Sequence, residues 1–403
     1  LPELWRLRTP SCLVRGVAVL KDEGGVAGVT SLAELLAPGV APVEGLAEIL
    51  FPTGLPALPM GFSTVMTDSF THRTYVGVQI SYSESSDGQS QPLATCAWSH
   101  LPEVAAPEFL RLMETIQEYL VKDPSRFAKI WSWLVHEVPA PPPGSALFLH
   151  GLGGKLQDPG LCAAVRAVPA GLPSVYVPLQ HLLTRLSVST VLLVTRLVLL
   201  EQKVLFVGSS VAMLTSACEA FSSILLFPLA WVHCYNPLLP STDYLATPPP
   251  FLFGCLREII LKETFADSND LLSSDLLGIR QRSDSPTSHT PEPAERDFTV
   301  LDLDTGDVYF HQMANELPAL PEAAQSRLRF SLTELRAEVE AKEDLWPGSK
   351  VQSTEELFQD AVQKMYLTFM ADLLGDVASS LGPPCEIATA ASVLSSFQEG
   401  RFL

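Results

Sequence analysis

The side chains with chemical reach fall into a few small groups. Residues 151–155 read GLGGK, glycines whose N–H groups could cradle a phosphate with Lys155 beside them. The nucleotide-loop spacing G-x-x-x-x-G-K-[ST] is not met, because Leu149 and Leu156 stand where it needs Gly and Ser or Thr. The G-x-G-x-x-G spacing fails as well. His150 before these glycines, or Ser209 in Gly208-Ser209-Ser210-Val211, could serve an acyl-transfer hydrolase. That chemistry needs a nucleophile elbow, G-x-S-x-G, and none occurs. A turn between elements is the simpler reading of both stretches. The eight histidines contain no H-E-x-x-H or H-x-x-x-H pair, so no metal or other cofactor is expected. Forty-five acidic residues single out no carboxylate pair for hydrolysis. These negatives shift weight toward a protein that works by binding.

The rest of the chain must position whatever does the binding. At 403 residues it has room for two to three domains of ~150 residues. A hydrophobic share of 47% against 18% charged excludes a disordered chain, and 33 prolines mark several loop-rich boundaries. A net charge of −19 repels a phosphate backbone, so nucleic acid is not an expected partner. The same sign opposes docking on anionic lipid, so no direct membrane insertion is expected and a membrane address must come from another protein. Seven scattered cysteines without a C-x-x-C pair read as reduced, mostly buried thiols of a cytoplasmic protein. The chain opens on Leu1 without a signal peptide, which reads as an excerpt of a longer protein. Two apolar runs, 188–200 with Arg196 inside and 211–230 with Glu219 and Pro228, read as core helices rather than membrane spans.

Residues 13–20, 62–67 and 74–82 are strand-like, rich in β-branched and aromatic residues, and an antiparallel pair is expected around Asp68 and His72. A polar loop over 84–91 and a short segment at Trp98 precede a helix opened by Pro107. There Phe109, Leu112, Met113, Ile116 and Leu120 fall on one face that packs on the sheet. Four prolines among residues 139–143 predict a stiff spacer. Beyond it, one helix over 179–200, a strand over 203–208, a helix capped by Ser210, and short apolar runs at 231–235, 251–255 and 299–303 predict a mostly parallel sheet with helices on its faces. Residues 281–296 read as a disordered insertion, with Ser285 and Thr290 each before a proline. The last stretch is helical, with a capping box at Ser353 and Glu356 and an end at Gly375.

Residues 178–254 also carry a resemblance. A long helix, Glu201-Gln202-Lys203, a strand, Leu226-Phe227-Pro228, Trp231, His233-Cys234-Tyr235, Pro237-Leu238-Leu239-Pro240 and Pro248-x-Pro250-Phe251 occur in an order that closely resembles DENN-domain proteins. The flanks are similar too, through Phe51-Pro52, residues 65–68 (VMTD), 73–77 (RTYVG), 138–144, 300–306 (VLDLDTG), 317–321 and 367–376. The chain departs from the family pattern in a shorter stretch between Pro240 and Tyr244, Val232 in place of a common glutamine, and Val377 in place of a frequent aromatic.

The resemblance implies an α/β fold class: a longin-like N-terminal lobe of antiparallel sheet with helices, a Rossmann-like central α/β domain and a helical C-terminal part. The expected divisions are 1–137, 138–316 with the insertion 281–296, and 317–403, the last incomplete. It implies guanine-nucleotide exchange on a Rab-family small GTPase in membrane traffic, with peripheral recruitment to endomembranes. The alternative is a non-catalytic scaffold that tethers a GTPase, kinase or receptor tail. Exchange needs no covalent nucleophile, only tighter binding of the empty GTPase than of the loaded one, with the GTPase lodged between the two lobes. The expected partner-binding residues are His233, Tyr235 and Asn236 at the end of a short strand, Asp243 and Tyr244 on the shortened loop, and Asp68 and Arg73 at the hairpin, each with a core or turn role as its plain alternative. Phosphorylation-dependent regulators are candidates at 281–296.

Overall fold

The computed structural model describes residues 12–22, 29–56, 58–69, 72–84, 90–150, 162–167, 177, 179–229, 231–266, 298–309, 317–345 and 352–380. The expectations placed on 151–155 and 281–296 lie outside these residues. The architecture of the described residues is mixed α/β, with a five-stranded antiparallel sheet, a five-stranded mostly parallel sheet, a two-stranded antiparallel pair and a helical end.

The first sheet has the order β2-β1-β5-β4-β3 and is antiparallel throughout. Its strands are β1 (Gly16–Asp22), β2 (Val29–Leu36), β3 (Met60–Ser69), β4 (His72–Glu84) and β5 (Ser90–Ser99), with a short helix α1 (Leu46–Leu50) between β2 and β3. Side chains alternate along each strand, so Val17 and Val19 join one core while Ala18 and Leu20 join another. The first core lies under α2 (Pro107–Lys122) and α3 (Pro124–His136). In α2 the residues Phe109, Leu112, Met113 and Ile116 are buried, as their spacing predicts. Gly77 lets this helix layer sit directly on the sheet, since a Cβ there would lie 2.6 Å from the Val104 carbonyl oxygen and 3.0 Å from Met113 Sδ.

Several elements differ from the sequence reading. Helix α3 was not expected, although Asp123 caps it by accepting from the Arg126 N–H at 3.1 Å and Pro124 opens it. The expected loop over 84–91 ends in the ten-residue strand β5. Strand β2 escaped notice because its middle, residues 31–34, is exposed on both faces and shows no alternation. The proline-rich segment beyond α3 is pinned at its start by a bridge between Cys12 and Pro139. It leads into a hairpin, β6 (Ala146–His150) and β7 (Cys162–Arg166), whose Leu149 and Val165 belong to the core under α2 and α3.

The second sheet has the order β12-β11-β8-β10-β9. Strand β8 (Val204–Gly208) pairs in parallel with β10 (Phe251–Leu256) and β11 (Thr299–Asp302), and β9 (Cys234–Asn236) pairs in parallel with β10. Only β12 (Val308–Tyr309) runs antiparallel, against β11. The expected run at 231–235 contributes just the three residues of β9. Every residue of β8 and β10 is buried, as parallel strands covered on both faces should be.

Helix α6 (Val211–Glu219) packs on β8 and β10 on one side and on β3 of the first sheet on the other. Ser210 caps it, accepting from the Met213 N–H at 3.4 Å. Because both sides face protein, residues 213–219 are all buried, and the helix has no polar stripe. This placement accounts for the apolar run from 213 to 226 as core, while Leu229 beyond it is exposed. One hydrophobic core therefore runs from the inner face of the first sheet through α6 into the second.

The single helix expected over 179–200 is two, α4 (Leu179–Arg185) and α5 (Val188–Leu199), bent by 110°. Ser187 breaks the run by capping α5, its hydroxyl accepting from the Thr190 N–H at 3.0 Å. Helix α7 (Arg257–Ala266) follows β10, and α8 (Glu322–Leu345) and α9 (Gln352–Ser380) close the described chain. Arg336 of α8 donates to the carbonyls of Leu186 at 2.9 Å and Thr184 at 2.7 Å, satisfying the exposed end of α4. Tyr366 of α9 meets Thr195 of α5 at 3.0 Å. Helix α9 already includes Ser353 and passes through Gly375, so neither end matches the sequence signals. An interior glycine costs only about 1 kcal/mol, which the packing of Tyr366, Phe369 and Met370 outweighs. Among the described residues no single helix is long and apolar enough to cross a membrane.

The substitution Gly77→Ala pushes α2 off the sheet. A loss of about 1–3 kcal/mol is expected, read as a lower urea midpoint with an unchanged slope.

Candidate functional site

A buried polar group drawn from three distant elements sits where the two five-stranded sheets meet. Arg73 lies at the start of β4, Glu219 ends α6, and Tyr235 is the middle residue of β9. Arg73 Nη1 lies 3.4 Å from both oxygens of Glu219, across 146 residues of sequence. The Tyr235 hydroxyl donates to Glu219 Oε1 at 2.5 Å, and the guanidinium stands 5.3 Å from the centre of the Tyr235 ring. Close by, the Thr215 hydroxyl of α6 donates to that of Thr64 on β3 at 3.3 Å. Burial pushes the Tyr235 phenol well above its ordinary pKa, and the Glu219 carboxylate adds to the shift. The hydroxyl stays protonated and keeps donating. Burial works to lower the Arg73 pKa, but Glu219, Tyr235 and Tyr75 outweigh it and hold the guanidinium above its ordinary value.

The backbone around Glu219 supports this arrangement. Directly after it the helix widens into a π turn, Ala220–Ile224. The Ser222 carbonyl there accepts from the Trp231 N–H at 3.0 Å, tying the entry of β9 to the end of α6. Glu219 is the residue the sequence reading used only to argue against a membrane span. A lone acid in an apolar helix was the available signal, because such a group is buried only with a partner.

The expected site residues separate in space. Tyr235 is 8% exposed, and both it and Arg73 are engaged inside the junction. His233 precedes β9 rather than ending it, with Nε2 3.2 Å from Glu201 Oε1 and its ring edge-on to Trp231 at 5.2 Å. Asn236 is at the opposite end of β9, where its Oδ1 accepts from the Leu238 N–H at 3.1 Å and turns the chain. That turn presses on the second sheet so closely that a Cβ on Gly254 would stand 2.1 Å from the Pro237 carbonyl oxygen. Asp243 and Tyr244 lie on a 3-10 helix, Thr242–Ala246, and point outward, Tyr244 being 50% exposed. Asp68 is the extra residue of a bulge where β3 turns toward β4, and only its backbone is described.

A second network, absent from the sequence reading, lies at the carboxyl ends of the parallel strands. Arg257 holds Asp302 at 2.6 and 2.7 Å and Asp304 at 2.9 and 3.1 Å. Asp304 Oδ1 also accepts from the Ser209 N–H at 3.2 Å and its hydroxyl at 3.0 Å. Partial burial acts to raise the Asp304 pKa, but Ser209 and Arg257 outweigh it and hold the carboxyl below its ordinary value. A carboxylate so held is a weak base, so its pairing with Ser209 braces the loop rather than activating the hydroxyl. Among the described residues no group of three or more His, Cys, Asp or Glu is placed to hold a metal ion.

A family model described as the DENN (AEX-3) domain matches residues 90–278, a stretch that begins at β5 and holds Glu219 and Tyr235 of the junction but not Arg73. Residues 90–278 are those of a DENN (AEX-3) domain. The chain is 28% identical over 248 residues to DENN domain-containing protein 2A of Mus musculus, covering 60% of this chain and 21% of that protein. It is 32% identical to DENN domain-containing protein 2B of Homo sapiens over 132 residues, 31% of this chain and 11% of the relative. DENN domain-containing protein 1A of Homo sapiens is 28% identical over 168 residues, 40% and 15% of the two chains. The chain spans about a fifth of the length of the relatives that match it over the longest stretch.

Two outcomes follow from the DENN junction and the Asp304 network. Glu219→Ala strands the Arg73 guanidinium and the Tyr235 hydroxyl and lowers stability by about 1–3 kcal/mol, whereas Tyr235→Phe costs about 1 kcal/mol, both read from urea midpoints. Asp304 ionises more readily folded than unfolded, so its contribution is present above the ordinary carboxylate value of ~4 and is lost as pH falls through the lower folded value. Asp304→Asn flattens that part of an acid-unfolding curve.

Proposed function

We propose that this DENN domain is a guanine-nucleotide exchange factor for a Rab-family small GTPase, binding the empty GTPase more tightly than the nucleotide-loaded one. Linkage then requires that the bound factor loosen the nucleotide by the same ratio. No acid, base or nucleophile is needed. Family membership carries the partner class. The observation that carries the mechanism is the junction, where a shared core and the Arg73–Glu219–Tyr235 group hold two unlike sheets as one surface. A rigid surface can favour one conformation of a partner, which a pair of loosely hinged lobes would follow instead.

In this reading the first sheet with α2 and α3 is a longin-like lobe, the second sheet is a Rossmann-like domain, and α8 and α9 are the downstream helices. The divisions 1–137, 138–316 and 317–403 belong to this proposal, with the β6–β7 hairpin assigned to the first lobe because its Leu149 and Val165 join that lobe's core. Because the lobes already touch, the GTPase sits along the rim of the junction rather than deep between them. Tyr244 and Asp243, both exposed, are the first contact candidates, and His233, Asn236 and Asp68 are further ones. Arg73 and Tyr235 act from inside by fixing the geometry. Regulators at 281–296 and recruitment to endomembranes belong to the same proposal.

Stopped-flow release of fluorescent GDP across a Rab panel tests it. Substoichiometric DENN domain should accelerate release from at least one Rab, and Tyr244→Ala should reduce that rate about tenfold at unchanged stability, the effect of losing one anchoring aromatic. Stable Rab binding with no acceleration would make the protein a tether instead.

A further inference from the structure

Helices α8 and α9 enclose a groove of about 210 Å³ away from the junction. Its floor is apolar, from Ala324, Leu328, Met365 and Phe369, and its walls carry Arg327, Ser331, Lys364 and Thr368. The volume is below the ~300–1,000 Å³ of small-molecule sites, so it suits one or two protein side chains rather than a cofactor. Arg327 reaches across to Asp372 at 2.8 Å while remaining 63% exposed. Lys364 is exposed on the facing wall and, among the described residues, makes no ion pair. Phe330, three residues beyond Arg327 and so beside it on the helix surface, is 64% exposed.

Two cations against one carboxylate make this lining locally positive on a chain of net charge −19. Screening within ~8 Å lets the local sign govern a contact made inside the groove. A basic segment would meet Arg327 and Lys364 unfavourably, and an uncharged one would leave Lys364 unused. We propose that the α8–α9 groove binds an acidic segment of a partner protein, one that seats an apolar side chain on Leu328, Met365 and Phe369 and presents a neighbouring carboxylate to Lys364 and Arg327. The arrangement is helix-groove recognition with a charged rim.

The test uses the full chain labelled with ¹³C at methionine methyls, the Met365 signal being assigned by its disappearance in Met365→Leu. The probe is the capped dipeptide N-acetyl-phenylalanyl-aspartate amide, with the asparagine version as control. The Met365 signal should shift saturably with the acidic probe, and the control should bind about fivefold more weakly, as expected for one solvent-screened ion pair. Lys364→Glu, an exposed change that leaves the floor intact, should abolish the preference. Equal shifts with both probes, or none at Met365, would overturn the proposal. So would a shift that emerges only after residues 381–403 are removed, since the groove would then belong to the chain's own end.

Discussion

A helix buried on two sides constrains everything around it. Helix α6 lies between the first sheet and the second, so it needs apolar residues around its whole circumference. The one charge it carries there, Glu219, is tolerable only with a cation and a hydroxyl supplied from both neighbours. Arg73 comes from one sheet and Tyr235 from the other. The same contact therefore satisfies a buried acid and fixes how two otherwise independent sheets meet. The π turn that follows lets β9 enter at the spacing this contact requires.

Much of this was legible in the sequence, and what was not has physical reasons. The face of α2, the cap at Ser210 and the parallel strands β8, β10 and β11 follow from periodicity and local chemistry, which act within a few residues. The bend between α4 and α5 was missed because its apolar pattern continues across Ser187, whose hydroxyl caps α5 while Arg336, distant in sequence, holds the carbonyls that end α4. Gly375 misled in the opposite direction, since distant packing overrode a local stop signal. Strand β2 was invisible because neither face is covered along its middle.

The candidate site shows the same division. Tyr235 and Arg73 were singled out from a motif, but their meeting at Glu219 depends on contacts across 146 residues that no spacing encodes. His233 and Asn236, close in sequence, lie on opposite ends of a three-residue strand. The polar group that Arg73 and Tyr235 form is thus drawn from three elements distant in sequence. The carboxyl-end network of Arg257, Asp302 and Asp304 adds a second brace where open α/β sheets usually leave room for a ligand. Both arrangements brace the backbone around them.

The outer strand β2 bears on how the molecule opens. Among the described residues it pairs only with β1, and Leu32 drops out of that ladder because Val19 faces Ala33 while Leu20 faces Ser31. The displaced residue kinks the strand and spoils it as a template for another chain. It also leaves a weak seam beside β1, so fraying of the first sheet should begin there, with its amides trading hydrogen for deuterium long before those flanking α6.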